Sequence, residues 1–161
     1  MADFDPAVAK TLIREGGARF TDNPDDHGGA TKYGISQRAY PNEDIRNLTE
    51  DRAKAIYKQD YWDKVGGDRV KSQAVAENVF DTAVNMGVTT ATKLVQLTLE
   101  LGVDGKFGPD TVKAVNGVDE QEFLAEFTLA KVARYAAICN RDRSQAKFLL
   151  GWLNRCLGGA S

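Results

Sequence analysis

The stretch that decides the fold is residues 15–36, EGGARFTDNPDDHGGATKYGIS, because it interrupts an otherwise helical sequence. The residues before it, 6–15, have the apolar spacing of a short helix. Gly16 and Gly17 predict the end of that helix, since glycine is the usual residue just past a helix C-terminus. The stretch itself is rich in Asp, Asn, Pro and Gly, with aromatic residues on both sides. It therefore predicts a small, irregular β-hairpin within residues 18–36.

Helical patterns dominate the rest of the chain. Apolar residues recur at three- and four-residue spacing, and Gly follows several of these segments. The predicted helices run from a cap at Thr49 towards Trp62, within residues 68–87 along an apolar stripe from Val75 to Met86, from Thr89 or Thr90 to Leu101, from Pro109, over 119–139, and over 144–157. Without a Pro- or Ser-rich linker or a repeat, we expect one mainly α body with a small β-hairpin near the N-terminus.

The composition excludes several classes of protein. The 161 residues carry 21 Lys and Arg against 23 Asp and Glu, a net charge of -2, which argues against binding to nucleic acid. His27 is the only histidine, and Cys139 and Cys156 are the only cysteines, so we expect reduced, buried thiols, no metal site and no cofactor. The chain shows no apolar run typical of a signal peptide or membrane span, so we expect synthesis in the cytoplasm and no membrane insertion.

Glu15 is the first candidate for chemistry. It lies seven residues after Val8 and three after Leu12, on the apolar face of its helix. Burial and the negative end of the helix dipole both favour a neutral carboxyl at this position, where helix rules prefer Lys. A residue that breaks local preferences beside a flexible Gly pair is a candidate general acid. The alternative is a partly exposed Glu paired with Arg14 or Arg19.

The loop that follows supplies candidates for a second group. Asp22, Asp25 and Asp26 each offer a solvated carboxylate, and Thr31 offers a hydroxyl that could hold a water molecule. A protonated acid facing an ionised carboxylate is the arrangement that glycoside hydrolysis requires. The alternative is an Asx-rich turn without chemistry.

The order of these motifs resembles glycoside hydrolase family 108, the N-acetylmuramidases of phage endolysins and related bacterial proteins. The resemblance rests on the Glu15-Gly-Gly run, DNPDDHGG and the Tyr33-Gly-Ile segment, and continues through Tyr61-Trp62 and residues 80–87 to DGKFGPDT and the closing aromatic pattern. It implies a lysozyme-like catalytic part over residues 1–88 and a helical peptidoglycan-binding-like part over 89–161, packed together without a linker.

The resemblance implies that Glu15 is the catalytic acid and that Asp25 acts with Thr31. Related phage lysozymes place eight residues between the Glu and the Asp and five between the Asp and the Thr. Here five residues separate Asp25 from Thr31, but nine separate Glu15 from Asp25, so Asp22 and Asp26 stay open as alternatives.

Further residues are predicted to contact the substrate. Aromatic faces suit sugar rings, which favours Tyr33, Tyr61 and Trp62. Tyr61 and Trp62 could equally lie in the core, as aromatic residues at a helix end often do. Asn85 could bind an N-acetyl group or the Glu15 loop. Trp152 is expected in the core.

The predicted function is that of an endolysin, monomeric and without cofactor, that cleaves the β-1,4 bond between N-acetylmuramic acid and N-acetylglucosamine in peptidoglycan. It would reach the periplasmic cell wall after holin-type release. The alternatives are a lytic transglycosylase acting on the same bond and a peptidoglycan-binding protein without catalysis.

Overall fold

The computed structural model describes residues 1–24 and 27–158. Within them, the chain forms α-helices and one two-stranded antiparallel sheet. The prediction of a mainly α fold with a small hairpin near the N-terminus is confirmed. In chain order the elements are α1 (Phe4–Arg14), β1 (Thr31–Lys32), β2 (Ile35–Ser36), α2 (Glu50–Tyr57), α3 (Gln73–Met86), α4 (Val88–Thr98), α5 (Pro109–Val115), α6 (Glu120–Arg141) and α7 (Leu149–Cys156).

Short helical turns of other types complete this order. A π-helical turn, Lys58–Trp62, continues α2, and 3₁₀ turns occupy Gly67–Arg69 and Arg143–Phe148. The C-terminal prediction of one helix over residues 144–157 therefore differs from the structure, where the first five residues of this region, 144–148, belong to the tighter turn. The reason is local, because Asp142 caps the 3₁₀ turn by accepting from the backbone N–H of Ser144.

Helix α1 begins earlier than the sequence predicts. Asp3 is its N-cap, and its side chain accepts a hydrogen bond from the backbone N–H of Asp5 at 3.1 Å. Val8, Thr11 and Leu12 lie on its buried face. The helix ends at Arg14, and Gly16 and Gly17 follow with φ of 89° and 58°, values that glycine adopts with little strain. This geometry turns the chain sharply immediately after Glu15.

The hairpin is tighter than predicted and lies later in the chain. Its turn consists of Tyr33 and Gly34, with φ of 53° and 76°, rather than of the Asp- and Gly-rich segment before Thr31. Two positive φ values in succession fit a two-residue hairpin turn, which matches the natural strand twist. The earlier segment is instead closed at its base by backbone pairing of Thr21 with Thr31.

One hydrophobic core joins the two halves of the chain. It contains Phe80 of α3, Val95 of α4 and Phe127 of α6, all fully buried. Cys139 and Cys156 are buried free thiols, as predicted. None of the helices in residues 1–24 and 27–158 has the length and apolar character that a membrane-spanning helix needs. Outside this core, Arg155 of the last helix, α7, reaches Asp81 and Glu15 in the N-terminal half.

Candidate active site

Glu15 lies at the C-terminal end of α1, where it is the C-cap residue. Its side chain is 23% exposed, but its Oε1 atom is buried and accepts no hydrogen bond within the part of the chain that the structure describes. A buried carboxylate oxygen without a hydrogen bond is rare in folded proteins and costs free energy. The local structure thus keeps one oxygen of Glu15 out of water.

The hairpin turn packs directly against Glu15. A Cβ atom added to Gly34 would lie 2.6 Å from Cβ of Glu15 and 2.6 Å from Oη of Tyr57, distances that no real side chain tolerates. The backbone of Tyr33 donates to the carbonyl of Gly17 at 3.0 Å, which ties the turn to the end of α1. Gly34 is therefore required by close approach, and its position fixes the hairpin beside the carboxyl group.

Tyr57 of α2 contacts the same hairpin turn. Its hydroxyl donates to the carbonyl of Tyr33 at 2.8 Å. Burial raises the pKa of the Tyr57 phenol far above its ordinary value, and the neighbouring Glu15 carboxylate adds to the rise. Tyr57 is therefore a neutral hydrogen-bond donor at neutral pH.

A cationic partner reaches Glu15 from the far end of the sequence. Nη2 of Arg155, on α7, lies 3.0 Å from Oε1 of Glu15, an ion-pair distance without hydrogen-bond alignment. The same guanidinium donates to both oxygens of Asp81 on α3, at 2.9 and 3.2 Å. Arg14 also pairs with Asp81 at 2.9 Å, rather than with Glu15. The sequence-based alternative of a Glu15 paired with Arg14 or Arg19 is therefore wrong about the partner.

Electrostatics keep Arg155 charged. Its burial acts to lower the pKa, but the hydrogen bonds to Asp81 and the charges of Asp81 and Glu15 outweigh burial, and the pKa is raised. No helix preference or motif near Arg155 singles it out in the sequence. Its contact with Glu15 spans 140 positions of the chain, so no local signal could reveal it.

The predicted partners of Glu15 are only partly described. Asp25, together with its alternative Asp26, lies outside the described residues. Asp22 follows directly after the Thr21–Thr31 pairing and is exposed, and Thr31 lies on β1 with its hydroxyl donating to the carbonyl of Gly29 at 3.3 Å. The two ends of the acidic loop are thereby held on the hairpin that packs against Glu15.

Two of the predicted substrate-contacting aromatic residues do not fit that role. Trp62 is fully buried, with its indole N–H donating to Asp68 at 2.6 Å, because the π-helical turn rotates it into the core against Phe80. Tyr33 is 9% exposed, and what it offers the site is its backbone carbonyl. Both side chains are enclosed by the protein and present no face to a sugar.

The other predicted contacts keep some exposure. Tyr61 is half-buried beside Tyr57, with ring centroids 5.8 Å apart. Asn85 of α3 is also half-buried, and its amide donates to the hydroxyl of Tyr135 at 3.0 Å, not to the Glu15 loop. Trp152, which was expected in the core, is half-buried and stacks on Tyr135 with ring centroids 5.2 Å apart.

A pocket of about 320 Å³ lies next to the ion-pair cluster and shares Asp81 and Arg155 with it. Its wall includes Lys131, which is 4% exposed and donates to Oδ1 of Asn78 at 2.7 Å. Burial lowers the pKa of the Lys131 amine. The described lining of this pocket does not include Glu15, and no metal-binding cluster of His, Cys, Asp and Glu forms among residues 1–24 and 27–158.

Comparison with known proteins agrees with this geometry. The family described as glycosyl hydrolase 108 matches residues 8–87, and the family described as predicted peptidoglycan domain matches residues 89–157. A solved structure of Brucella abortus SagA superposes with a TM-score of 0.73 at 26% sequence identity, over 98% of this chain and 96% of that one. No curated protein gives a significant match.

Proposed function

The chain belongs to glycosyl hydrolase family 108 over residues 8–87 and to the predicted peptidoglycan domain family over residues 89–157, and on that basis we propose that it is a muramidase. The two memberships together make it a glycoside hydrolase that acts on peptidoglycan. The bond it cleaves, on this proposal, is the β-1,4 bond between N-acetylmuramic acid and N-acetylglucosamine. Residues 1–88 form the catalytic part, and residues 89–161 the part that binds the cell wall.

One observation carries the proposal of general acid catalysis. Oε1 of Glu15 is buried at the C-terminal end of α1, enclosed by the hairpin turn and 3.0 Å from Nη2 of Arg155. A glycosidase needs one carboxyl group held in place to give its proton to the oxygen of the scissile bond. Glu15 is partly buried and fixed by its neighbours in this way, whereas Asp22 is exposed.

The reaction follows from this assignment. Glu15 gives its proton to the glycosidic oxygen as the bond from that oxygen to the anomeric carbon of muramic acid breaks. The bonding electrons stay with the departing N-acetylglucosamine, whose oxygen becomes a hydroxyl. Water then supplies the new oxygen on the anomeric carbon and returns one proton to the carboxylate. Arg155 lies beside that carboxylate while it is ionised.

We assign the step that involves the attacking water to Asp25 acting with Thr31. Asp22 and Asp26 remain the alternatives for this second carboxylate. Thr31 supports this assignment by its place on β1, the strand that pairs with Thr21 at the base of the acidic loop. From there its hydroxyl would orient the attacking water. Tyr61 and Asn85, both half-buried, are the proposed sugar contacts.

The biological role we propose is that of a phage endolysin. It acts as a monomer, reaches the periplasm through a holin-type pore and lyses the wall from inside, without a cofactor. The net charge of -2 supports wall recognition through shaped sugar contacts rather than through bulk attraction to an anionic envelope.

Glu15→Gln tests the catalytic assignment against a matched control. The substitution keeps the shape of the side chain and removes its transferable proton, so kcat on purified peptidoglycan should fall by roughly 10² to 10⁴. Glu77→Gln is the control, because Glu77 is a similarly shielded glutamate, 17% exposed and paired with Lys10 on the α1–α3 contact. It should keep kcat within about twofold. A folded Glu15→Gln protein that clears cell walls like the wild type would refute the assignment.

A further inference from the structure

Arg155 lies at the centre of a chain of charges that links the two family segments. Arg14 of α1 pairs with Asp81 of α3, Asp81 accepts two hydrogen bonds from Arg155 of α7, and Arg155 pairs with Glu15 at the end of α1. The side chains of Asp81 and Arg155 are only 15% and 23% exposed. Three helices therefore meet at one guanidinium group.

The contact with Asp81 fixes the direction of the guanidinium. Nε donates to Oδ2 of Asp81 at 3.2 Å and Nη2 donates to Oδ1 at 2.9 Å, which is a two-pronged arrangement. Such forked pairs hold both the position and the plane of the arginine. With the plane fixed, Nη2 stays within 3.0 Å of Oε1 of Glu15. Lysine, with a single ammonium group, cannot reproduce this double contact.

We propose that Arg155 is a positioning residue for catalysis, so that the peptidoglycan-domain half completes the active centre of the hydrolase half. Resting on the function proposed above, this inference assigns Arg155 two effects. It holds Oε1 of Glu15, which leaves Oε2 to carry the proton towards the glycosidic oxygen. It also stabilises the carboxylate that forms as the proton leaves.

The surroundings of Glu15 make the second effect measurable. The charged and titratable groups that face it are Arg155 from α7, with Asp81 of α3 behind it, and the Tyr57 phenol from α2. In the described part of the hairpin, Gly34 is the residue in close contact with the Glu15 side chain. Within the described part of the chain, Arg155 is the one positively charged group among these at ion-pair distance from Glu15. Its removal therefore makes the surroundings of the Glu15 carboxyl less positive.

Arg155→Met is the direct test, with Lys10→Met as its matched control. Both side chains pair with a carboxylate of α3, Arg155 with Asp81 and Lys10 with Glu77, but Lys10 is not part of the chain of charges that reaches Glu15. In Arg155→Met, kcat should fall by roughly 10- to 100-fold while KM stays within about twofold, because a misplaced acid slows the reaction without touching sugar binding. In Lys10→Met, both constants should stay within about twofold.

The pH profile separates positioning from a purely structural role. A carboxyl group that loses a neighbouring positive charge keeps its proton to higher pH. In Arg155→Met the alkaline fall of kcat should therefore move upward by about one pH unit, while in Arg155→Lys, which keeps the charge, it should stay near its wild-type position. Arg155→Lys should recover part of kcat, since a lysine can neutralise Glu15 but cannot orient it and hold Asp81 together.

The outcomes decide between the claims. A folded Arg155→Met protein with wild-type kcat, or with reduced kcat and an unmoved alkaline limb, overturns the inference while leaving the hydrolase assignment intact. Should Arg155→Met fail to fold, Arg155→Lys decides, because wild-type kcat in that variant contradicts a need for the forked geometry. An inactive wild-type protein would instead mean that the proposed function has failed.

Discussion

Two glycine-rich segments of this protein differ in how their buried polar atoms are bonded. The first loop is residues 15–36, which include the β1–β2 hairpin, and the second is residues 99–108, between α4 and α5. In the first, Oε1 of Glu15 is buried without a hydrogen bond and lies 3.0 Å from Nη2 of Arg155. In the second, Gln96 of α4, 2% exposed, has both ends of its amide hydrogen-bonded. The first loop thus leaves its buried oxygen with an ion pair, whereas the second bonds the buried amide at both ends.

The second loop folds around the Gln96 side chain. Nε2 of Gln96 donates to Oδ1 of Asp104 at 2.8 Å and to the carbonyl of Lys106 at 3.1 Å. Oε1 of Gln96 accepts from the backbone N–H groups of Asp104 and Gly105, at 3.1 and 2.9 Å. Such a network holds the loop in one conformation. The DGKFGPDT segment thus has a complete structural explanation.

The largest effect should follow from adding a methyl group to the first loop. Gly34→Ala would force a Cβ atom into the space of Glu15 and Tyr57, at a φ of 76°. Displacing the carboxyl by about 1 Å should lower kcat on peptidoglycan by roughly 10²-fold, with a loss of stability of about 1–3 kcal/mol.

The control for that substitution lies in the second loop. A Cβ atom at Gly102 meets nothing within 4 Å, so Gly102→Ala should leave kcat and the melting temperature close to wild type. Equal loss of activity in both variants would show that the close contact at Gly34 has no special bearing on catalysis.

Substitution of Gln96, the α4 residue around which the second loop folds, should lower stability and leave activity unchanged. Gln96→Ala removes the partner of buried donors and acceptors and should lower the free energy of unfolding by about 2–4 kcal/mol, measured by urea denaturation. Because the loop has no part in the proposed chemistry, kcat of the folded protein should stay within about twofold. Gln121→Ala, at an exposed position of α6, should change stability by less than about 0.5 kcal/mol. A loss of kcat in Gln96→Ala without a loss of stability would contradict the claim that the second loop has no part in the chemistry.

The smallest effect concerns acid stability. Hydrogen bonds from the Lys106 backbone and from Gln96 lower the pKa of Asp104. A carboxyl whose pKa is lowered on folding stabilises the protein above its unfolded pKa, about 3.9, and this contribution disappears as the pH falls through the lowered value. Asp104→Asn should therefore be less stable than wild type at pH 7, and the difference should shrink below about pH 4. Urea midpoints at pH 7 and pH 3 measure it, and a pH-independent difference would contradict this origin.

The sequence predicts the elements of this fold better than it predicts their contacts. The α1 helix, its end at Gly16 and the helical character of the later segments follow from local periodicity and glycine placement. The hairpin turn was misplaced, because Tyr33 adopts a positive φ that residue preferences do not favour, and the close approach of Gly34 to Glu15 fixes it.

The sequence likewise predicts one residue of the candidate site and not the residue that pairs with it. Glu15 stands out in the sequence because it breaks two local helix preferences at once. Arg155 does not, since its significance comes from the packing of α7 against α1 and α3, which no local pattern encodes. The sequence leaves Trp62 open between the core and a sugar contact, because the pattern of an aromatic residue at a helix end is the same in both cases, and the structure buries it at the end of the π-helical turn.

Product analysis in oxygen-18 water tests the central claim most directly. Purified peptidoglycan is digested by the wild-type protein and by Glu15→Gln, and the fragments are examined by mass spectrometry. The account predicts N-acetylmuramic acid reducing ends that carry one oxygen-18 atom, and no fragments from Glu15→Gln. Anhydromuramic ends would identify a transglycosylase, labelled N-acetylglucosamine reducing ends would identify cleavage of the other bond, and wall binding without fragments would identify a binding protein. Any of these three results would contradict a muramidase.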